Sequence, residues 1–200
     1  TNTGTGALIL CLKAVGVKPG SEVITVANTF IASAGAIVAA GARPVFVDCD
    51  ERYQIDVSKI EAAITPKTAA ILPVHWAGCP PEMDKILEIA NRHGIPVVED
   101  ACPAVGAKIN GRFAGTFGKV NAFSMHPLKP LNVWGDGGII VTNDKDIAVK
   151  CRLVRNHGES IVDGDASIKS LINCIGYNFR LVELLAEIGC DQLNHLEYLN

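Results

Sequence analysis

The chain is organised around the stretch Phe123-Ser124-Met125-His126-Pro127-Leu128-Lys129-Pro130, which is followed by Asn132-Val133-Trp134-Gly135-Asp136-Gly137-Gly138. It holds one lysine in a turn rich in proline and glycine, between two apolar runs that are typical of short buried strands, Val120 to Phe123 and Ile139 to Val141. A lysine in such a turn is predicted to be partly shut off from water. Desolvation disfavours the ammonium form, so the pattern favours a free amine that can attack a carbonyl group.

A surface role is the alternative for this lysine, because most lysines in proteins are solvated surface charges. The neighbouring patterns favour a functional role. The same chain carries a Gly-Thr-Gly turn at residues 4–6, an acidic residue, Asp100, at the end of an apolar strand, and Ser124 five residues before Lys129.

The composition restricts the class of protein. Two hundred residues with 48% hydrophobic and 20% charged content and a net charge of −3 indicate one large α/β unit of a soluble, cytoplasmic protein. The weak negative charge, without a run of basic residues, argues against nucleic acid or an anionic membrane as the main partner. The seven cysteines form no CxxC pair, so we expect reduced thiols and no metal site.

Strand and helix patterns alternate along the chain. Apolar strand patterns begin at Glu22, Pro44, Thr68 and Ile95, with helical patterns between them. This alternation predicts an α/β three-layer sandwich in which a mostly parallel sheet has helices on both faces. Ligands of such sheets bind beyond the carboxyl ends of the strands. The groups that fall just after those ends are Thr29-Phe30, His75-Trp76, Asp100 and Lys129.

The first helix is predicted to begin at the Gly-Thr-Gly turn, before the apolar run Ala7 to Val15. Free backbone N–H groups at a helix N-terminus, together with the helix dipole, form a site for phosphate or another anion. A simple helix cap is the alternative. A dinucleotide-binding fingerprint is less favoured, because Ile9 stands where its third glycine should be.

The later part of the chain is less regular. The sequence predicts a helix from Ile147 to Arg155, a loop from Asn156 to Ala166, and a long helix from Leu181 to Leu199 that is interrupted at Gly189. The chain starts without methionine and stops inside polar helical sequence, which predicts a fragment.

Eight motifs in order resemble those of the DegT/StrS-type sugar aminotransferases, over nearly the whole chain. They are Gly4-Thr5-Gly6-Ala7-Leu8, Pro44-Val45-Phe46-Val47-Asp48, Pro73-Val74-His75, Val98-Glu99-Asp100-Ala101, Phe123-Ser124-x-x-Pro127-x-Lys129, Gly135-Asp136-Gly137-Gly138, Arg155-Asn156-His157-Gly158 and Gly176-Tyr177-Asn178-x-Arg180. The resemblance implies the aspartate aminotransferase fold and pyridoxal 5'-phosphate as cofactor. It also implies that residues 1–160 form the large cofactor-binding domain and that residues 161–200 lead into a smaller C-terminal domain.

The resemblance implies catalytic roles for two residues. Lys129 would bind the cofactor aldehyde as an imine and then transfer protons as general acid and base. Asp100 would face the pyridine nitrogen and keep it protonated. The adjacent Glu99 does not form a glycosidase-type carboxylate pair with it, because neighbouring residues on a strand point to opposite faces.

The resemblance also implies cofactor-binding residues. Thr5, the amide of Gly6 and Ser124 would hold the phosphate, and Phe30 would stack on the ring. Asn178 would reach the cofactor of the neighbouring subunit, so the active sites of a homodimer would be shared.

Three residues are candidates for the substrate side: His75, His126 and Trp134. A hydrogen-bonded core histidine is the alternative for His75.

Two prolines depart from the family pattern. Pro103 stands where many members have a glutamine and cannot donate a hydrogen bond, and Pro130 pushes Lys129 towards extended backbone.

The implied reaction moves an amino group from glutamate to a nucleotide-linked keto-sugar, in the biosynthesis of polysaccharide or secondary-metabolite sugars. One alternative is a non-catalytic fragment or a regulatory domain that binds the cofactor. Another is a different sugar-modifying enzyme on the same cofactor. Relatives in which histidine replaces the lysine are dehydratases, and Lys129 argues against that version.

Overall fold

The computed structural model describes residues 1–160, 171–172 and 174–199. The strands are β1 Glu22–Val26, β2 Arg43–Val47, β3 Thr68–Leu72, β4 Val98–Asp100, β5 Lys108–Ile109, β6 Arg112–Phe113, β7 Val120–Ser124, β8 Gly138–Val141, β9 Glu159–Ser160 and β10 Leu171–Ile172. The helices are α1 Gly4–Ala14, α2 Ile31–Ala39, α3 Val57–Ile60, α4 Met83–Arg92, α5 Lys145–Arg155, α6 Glu183–Leu193 and α7 Leu196–Leu199. Short 3-10 turns lie at Glu61–Ala63 and Trp76–Gly78.

The central sheet has the strand order β2-β1-β3-β4-β7-β8. Strands β2, β1 and β3 pair in parallel, and β4 pairs in parallel with β7. Two parallel bridges, Ile71 with Val97 and Val74 with Asp100, join β3 to β4. Strand β8 runs antiparallel to β7. The predicted mostly parallel sheet is confirmed.

Helices cover both faces of this sheet. Val23 of β1 belongs to a core cluster with α1, α2 and α5, whereas its neighbour Ile24 belongs to a second cluster with α3 and α4. Ala70 and Ile71 of β3 divide between the two clusters in the same way. Because successive side chains of a strand point to opposite faces, this division confirms the three-layer sandwich.

Helix α1 lies in the core, and its start touches the end of β7. All but two of its 11 residues are buried. Thr3 caps the helix, its Oγ1 accepting the N–H of Gly6 at 2.8 Å. A Cβ atom on Gly4 would lie only 2.7 Å from Cβ of Ser124. Glycine therefore allows the close approach that brings the first turn of α1 to the carboxyl edge of the sheet.

Two parts of the chain differ from the sequence prediction. The long C-terminal helix turns at residues 194–195, between α6 and α7, so the prediction that Gly189 interrupts it is wrong. Gly189 lies inside α6, where a Cβ would come within 3.0 Å of Cγ1 of Val133, so this glycine serves close packing. Within the predicted loop from Asn156 to Ala166, Glu159–Ser160 instead form β9, which pairs with β10, and the part beyond residue 160 lies outside the described residues.

One hairpin was not predicted. Strands β5 and β6 pair in antiparallel fashion around Asn110 and Gly111, whose φ angles are 49° and 81°. Left-handed φ at both central residues is the requirement of a type I′ turn, for which Asn-Gly is the preferred pair.

Among the helices that the structure describes, none is both long enough and apolar enough to cross a lipid bilayer.

Candidate active site

A cavity of about 520 Å³ lies at the carboxyl edge of the sheet. Its walls come from the segments that follow β1, β3, β4 and β7, and from the first turn of α1. The residues predicted from the sequence that line it are Thr5, Phe30, Asp100, Ser124, His126 and Lys129. The predicted residues that the structure does not place in its lining are Gly6, His75, Trp134 and Asn178.

Lys129 lies in a turn that is anchored on both sides. Its N–H donates to the carbonyl of His126 at 2.8 Å, and the N–H of Met125 donates to the carbonyl of Gly137 at 2.8 Å. Met125 and Val133 are buried in a small apolar cluster with residues of α6. The lysine itself is half-buried at the cavity wall, and so less enclosed than predicted. The three residues before it in the turn, His126, Pro127 and Leu128, are exposed.

Asp100 presents a fixed carboxylate to the same cavity. It ends β4 and is only 4% exposed. Its Oδ2 accepts the hydroxyl of Ser33 at 2.7 Å, and its Oδ1 accepts the N–H of Cys102 at 3.2 Å. Its backbone is held between those of Pro73 and His75, at 2.9 and 3.0 Å. The carboxylate is therefore fixed in both position and orientation.

Glu99 points to the opposite face of β4 and is fully buried with His75. Its two oxygens accept the N–H groups of Gly115, Phe117 and Gly118 at 2.8, 2.6 and 2.6 Å. The Nε2 of His75 lies 2.9 Å from Oε2. Burial would raise the pKa of Glu99, but His75 and the backbone N–H groups outweigh burial and lower this pKa below its ordinary value. His75 therefore lies in the core as the partner of Glu99.

Cys102 also lines the cavity, beside Asp100. Burial raises the pKa of its thiol well above the ordinary value, and the Asp100 carboxylate raises it further, while Lys129 lowers it. The thiol is therefore neutral at pH 7 and acts as a small apolar wall.

The other end of the cavity suits an anion. The hydroxyls of Thr5 and Ser124 lie there with the first turn of α1, where N–H groups lack intrahelical acceptors. The Gly6 amide is already used, because it donates to Oγ1 of Thr3. The Gly4 and Thr5 amides belong to the same turn, so they are better placed for an anion than the Gly6 amide.

The remaining predicted residues lie near the rim or apart from the cavity. Phe30, directly before α2, lines the cavity and is 68% exposed, so one side of its ring is free. Trp134 is exposed in the loop after Lys129, with a left-handed φ of 58°. Asn178 is exposed and forms an antiparallel bridge with Asn156.

One hydroxyl residue of the site, Ser33, was missed by the sequence reasoning, and Thr29 was placed after a strand end but was given no role. Thr29 and Ser33 line the cavity, and their Oγ atoms lie 2.7 Å apart. The available signal was position: Thr29 follows a predicted strand end, and Ser33 lies one helical turn later.

The cavity therefore combines an amine, a fixed carboxylate and an anion-binding end. This set suits a phosphorylated carbonyl compound with a protonated ring nitrogen. Within the described part of the chain, no group of three His, Cys, Asp or Glu side chains is placed to hold a metal ion.

Comparison with known proteins gives a consistent family. The profile of the DegT/DnrJ/EryC1/StrS aminotransferase family matches residues 1–200. The chain is 47% identical to a protein of Geobacillus stearothermophilus named pleiotropic regulatory protein, covering 97% of this chain and 50% of the relative. It is 45% identical to UDP-N-acetyl-3-dehydro-alpha-D-glucosamine 3-aminotransferase of Acidithiobacillus ferrooxidans, covering 99% of this chain and 52% of the relative.

A solved structure gives the same result for the fold. The crystal structure of DesV from Streptomyces venezuelae, in complex with a ketimine intermediate, superposes with a TM-score of 0.90 at 43% identity. The superposition covers 98% of this chain and 52% of DesV. The chain thus spans about half the length of the relatives that it matches.

Proposed function

This chain belongs to the DegT/DnrJ/EryC1/StrS aminotransferase family, and we propose that it carries the cofactor site and the catalytic lysine of a pyridoxal 5'-phosphate-dependent sugar aminotransferase. The observation that carries the proposal is the placement of Lys129, Asp100 and the start of α1 around one cavity. Residues 1–160 would be the large cofactor-binding domain, and residues 161–200 the segment that leads into the C-terminal domain.

The residues of the cavity fit pyridoxal 5'-phosphate. The close contact between Gly4 and Ser124, which a Cβ would prevent, leaves a cradle of hydroxyls and free helix N–H groups for the phosphate. Asp100 already accepts one hydrogen bond on each oxygen, and an ionised carboxylate has acceptor capacity for a ring N–H as well. The free face of Phe30 suits stacking on an aromatic ring.

Each residue then has a defined task in amino transfer. When bound, the cofactor supplies an aldehyde that takes up the amino group and a ring that withdraws electrons from the reacting carbon. Lys129 would hold the cofactor through its aldehyde group and would supply the amine that moves a proton as base and acid. Asp100 holds the proton on the ring nitrogen. Thr5 and Ser124 would anchor the phosphate, and this contact would not depend on Lys129.

The substrate and assembly are also proposed. We propose a nucleotide-linked keto-sugar as amino acceptor, supported by the name of the Acidithiobacillus relative, and glutamate as amino donor. His126, in the cavity, is the best-placed residue for the substrate side, and Trp134 at the rim is the next. The proposed place of action is the cytoplasm.

We further propose a homodimer in which exposed Asn178 reaches the cofactor phosphate of the partner. Lys129→Ala and Asn178→Ala remove residues of the same shared site from opposite subunits. Each variant alone should be inactive, whereas refolded mixed dimers should recover one working site. The measurement is amino transfer in mixtures of increasing ratio. Folded mixed dimers without recovered activity would contradict the shared site.

The test of the main proposal is the Lys129→Arg substitution. Borohydride treatment of the cofactor-loaded protein should join the cofactor to one peptide, which contains Lys129. Lys129→Arg should abolish both that label and amino transfer, because a guanidinium stays protonated and cannot act as the nucleophile. Lys119→Arg, at a surface lysine paired with Asp144, is the matched control and should keep both. A label on another lysine would overturn the assignment.

A regulatory protein is the second candidate, favoured by the name of the Geobacillus relative. Lys129 favours catalysis, because holding a cofactor for regulation does not require a proton-transferring amine in the cavity. Amino transfer from glutamate to a nucleotide-linked keto-sugar separates the two candidates.

A further inference from the structure

The carboxylate of Asp100 is held by a side chain from another layer of the fold. Ser33 lies in the first turn of α2 and is 1% exposed. Its Oγ lies 2.7 Å from Oδ2 of Asp100, although the two residues are 67 positions apart in the chain. Hydrogen bonds to an ionised group are shorter and about twice as strong as neutral ones. This contact joins α2 directly to the cavity wall.

Thr29 extends the contact into a chain of two hydroxyls. Its Oγ1 lies 2.7 Å from Oγ of Ser33, and geometry alone leaves the donor open. The number of available protons shows which hydroxyl is the donor. An ionised carboxylate only accepts, so the single hydroxyl proton of Ser33 is given to Asp100. Thr29 must then donate to Ser33, which polarises the Ser33 hydroxyl towards the carboxylate.

The backbone around Ser33 keeps the direction of this chain fixed. The N–H of Ser33 donates to the carbonyl of Phe30 at 3.1 Å, which closes the first turn of α2. Phe30 itself gives that helix no side-chain cap. The positive end of the α2 dipole thus lies beside Asp100, where a negative charge is favoured.

We infer that Ser33 is a positioning residue for Asp100, and that Thr29 sets the direction of its hydroxyl. Together they hold the carboxylate turned so that its free acceptor positions face the cavity. The inference rests on the proposed function, in which Asp100 keeps a proton on the ring nitrogen of the cofactor. A carboxylate fixed by Ser33 keeps its free acceptor positions directed at that proton.

The kinetic test compares Ser33→Ala and Thr29→Val in the cofactor-loaded protein. Ser33→Ala should lower kcat roughly tenfold to hundredfold, the loss expected for a hydrogen bond to a charged group, with little change in KM. Thr29→Val should lower it about threefold, because Ser33 still donates to Asp100. The absorbance of the bound cofactor, followed against pH, should shift in Ser33→Ala in the same direction as in Asp100→Asn.

A double-mutant cycle separates positioning from a structural role. In an Asp100→Asn background, Ser33→Ala should change kcat less than about twofold, because the charge that it positions is gone. Thr25→Val is the matched control: its buried hydroxyl donates to the carbonyl of Leu72 and contacts no cavity group. It should lower the melting temperature but leave kcat and the cofactor spectrum unchanged.

The same double-mutant cycle can be measured by thermal unfolding of the cofactor-free protein. This measurement tests the contact between Ser33 and Asp100 without depending on enzyme activity. Coupling between Ser33→Ala and Asp100→Asn supports the contact, and strict additivity overturns it. If the parent protein binds cofactor through Lys129 but Ser33→Ala keeps full kcat and spectrum, the inference fails and the proposed function stands. If the parent protein binds no cofactor, the proposed function fails, and the positioning role fails with it.

Discussion

Glu99 and Asp100 are adjacent carboxylates on β4, and both are nearly removed from solvent, yet they face different surroundings. Glu99 accepts three backbone N–H groups and lies 2.9 Å from Nε2 of His75, so protein groups face both of its oxygens. Asp100 meets Ser33 and one backbone N–H, and its remaining side faces the cavity. The difference shows that burial alone does not mark a functional acid. A functional acid is better indicated by a carboxylate that is fixed in place and still has free hydrogen-bond acceptor positions.

This comparison also explains how the two faces of β4 support each other. Glu99 fixes the loop at residues 115–118 against the strand, and the strand carries Asp100 to the cavity. We therefore expect substitutions at Glu99 to act on stability and substitutions at Asp100 to act on the reaction.

The largest expected effect is at Asp100. Asp100→Asn should keep the cofactor, through Thr5 and Ser124, but lose turnover several hundredfold. An amide carries no charge to hold the ring proton, and removing one partner of a buried ion pair costs about 3 to 5 kcal/mol. Steady-state kinetics and cofactor content of the purified variant measure both quantities. Asp84→Asn, on the exposed face of α4, is the control and should match the parent protein.

Turnover near the parent value in Asp100→Asn would contradict the functional difference between Asp100 and Glu99. It would mean that the ring nitrogen does not face this carboxylate, and that Asp100 is a structural acid like Glu99.

A smaller effect, on stability, is expected at Glu99. Glu99→Gln should lower the free energy of unfolding by about 2 to 3 kcal/mol, because its NH₂ group would meet backbone N–H donors. Chemical denaturation measures the loss. Turnover of the folded variant should change much less than in Asp100→Asn. Glu61→Gln is the matched control: Glu61 is exposed and paired with Arg92 and His93, so the unfolding free energy of this variant should stay close to that of the parent protein.

The Glu99 effect should also depend on pH in a defined direction. The pKa of Glu99 is lowered in the folded protein by His75 and the backbone N–H groups. A carboxyl group with a lowered folded pKa contributes its full stability above the ordinary value of 4.5, and loses it as the pH falls through the folded pKa. The stability gap between the parent protein and Glu99→Gln should therefore be constant near pH 7 and shrink below pH 4.5. A gap that grows on acidification would contradict the assignment.

The sequence predicted the main groups of the site because each follows a recognisable strand end. Asp100 ends one apolar strand pattern, Ser124 ends another, and Lys129 follows Ser124 by five residues. In a parallel sheet such ends meet at one edge, so their meeting in one cavity follows from local patterns. Glu99 was also separated from Asp100 by strand alternation alone.

Other features of the fold and the site could not be predicted, because they depend on contacts between residues that are distant in the sequence or on packing. The Gly6 amide could be counted as a free donor until Thr3 was seen to accept it. Gly189 suggested a helix break, since glycine weakens a helix, but packing against Val133 overrides that tendency. His75 could equally be a substrate contact or a core residue, and its position beside Glu99 depends on the pairing of β3 with β4.

Local sequence patterns were enough to predict the alternation of strands and helices, the parallel sheet, and the edge where the site lies. These follow from side-chain periodicity and strand-end chemistry, which act over a few residues. The groups that contact the carboxylates of Asp100 and Glu99 follow from the tertiary structure alone. Asp100 is held by Ser33, 67 residues away, and Glu99 by His75 and a loop 16 to 19 residues later. Such partners are chosen by how the layers pack, because a buried charge must be matched by whatever donors that packing brings within reach.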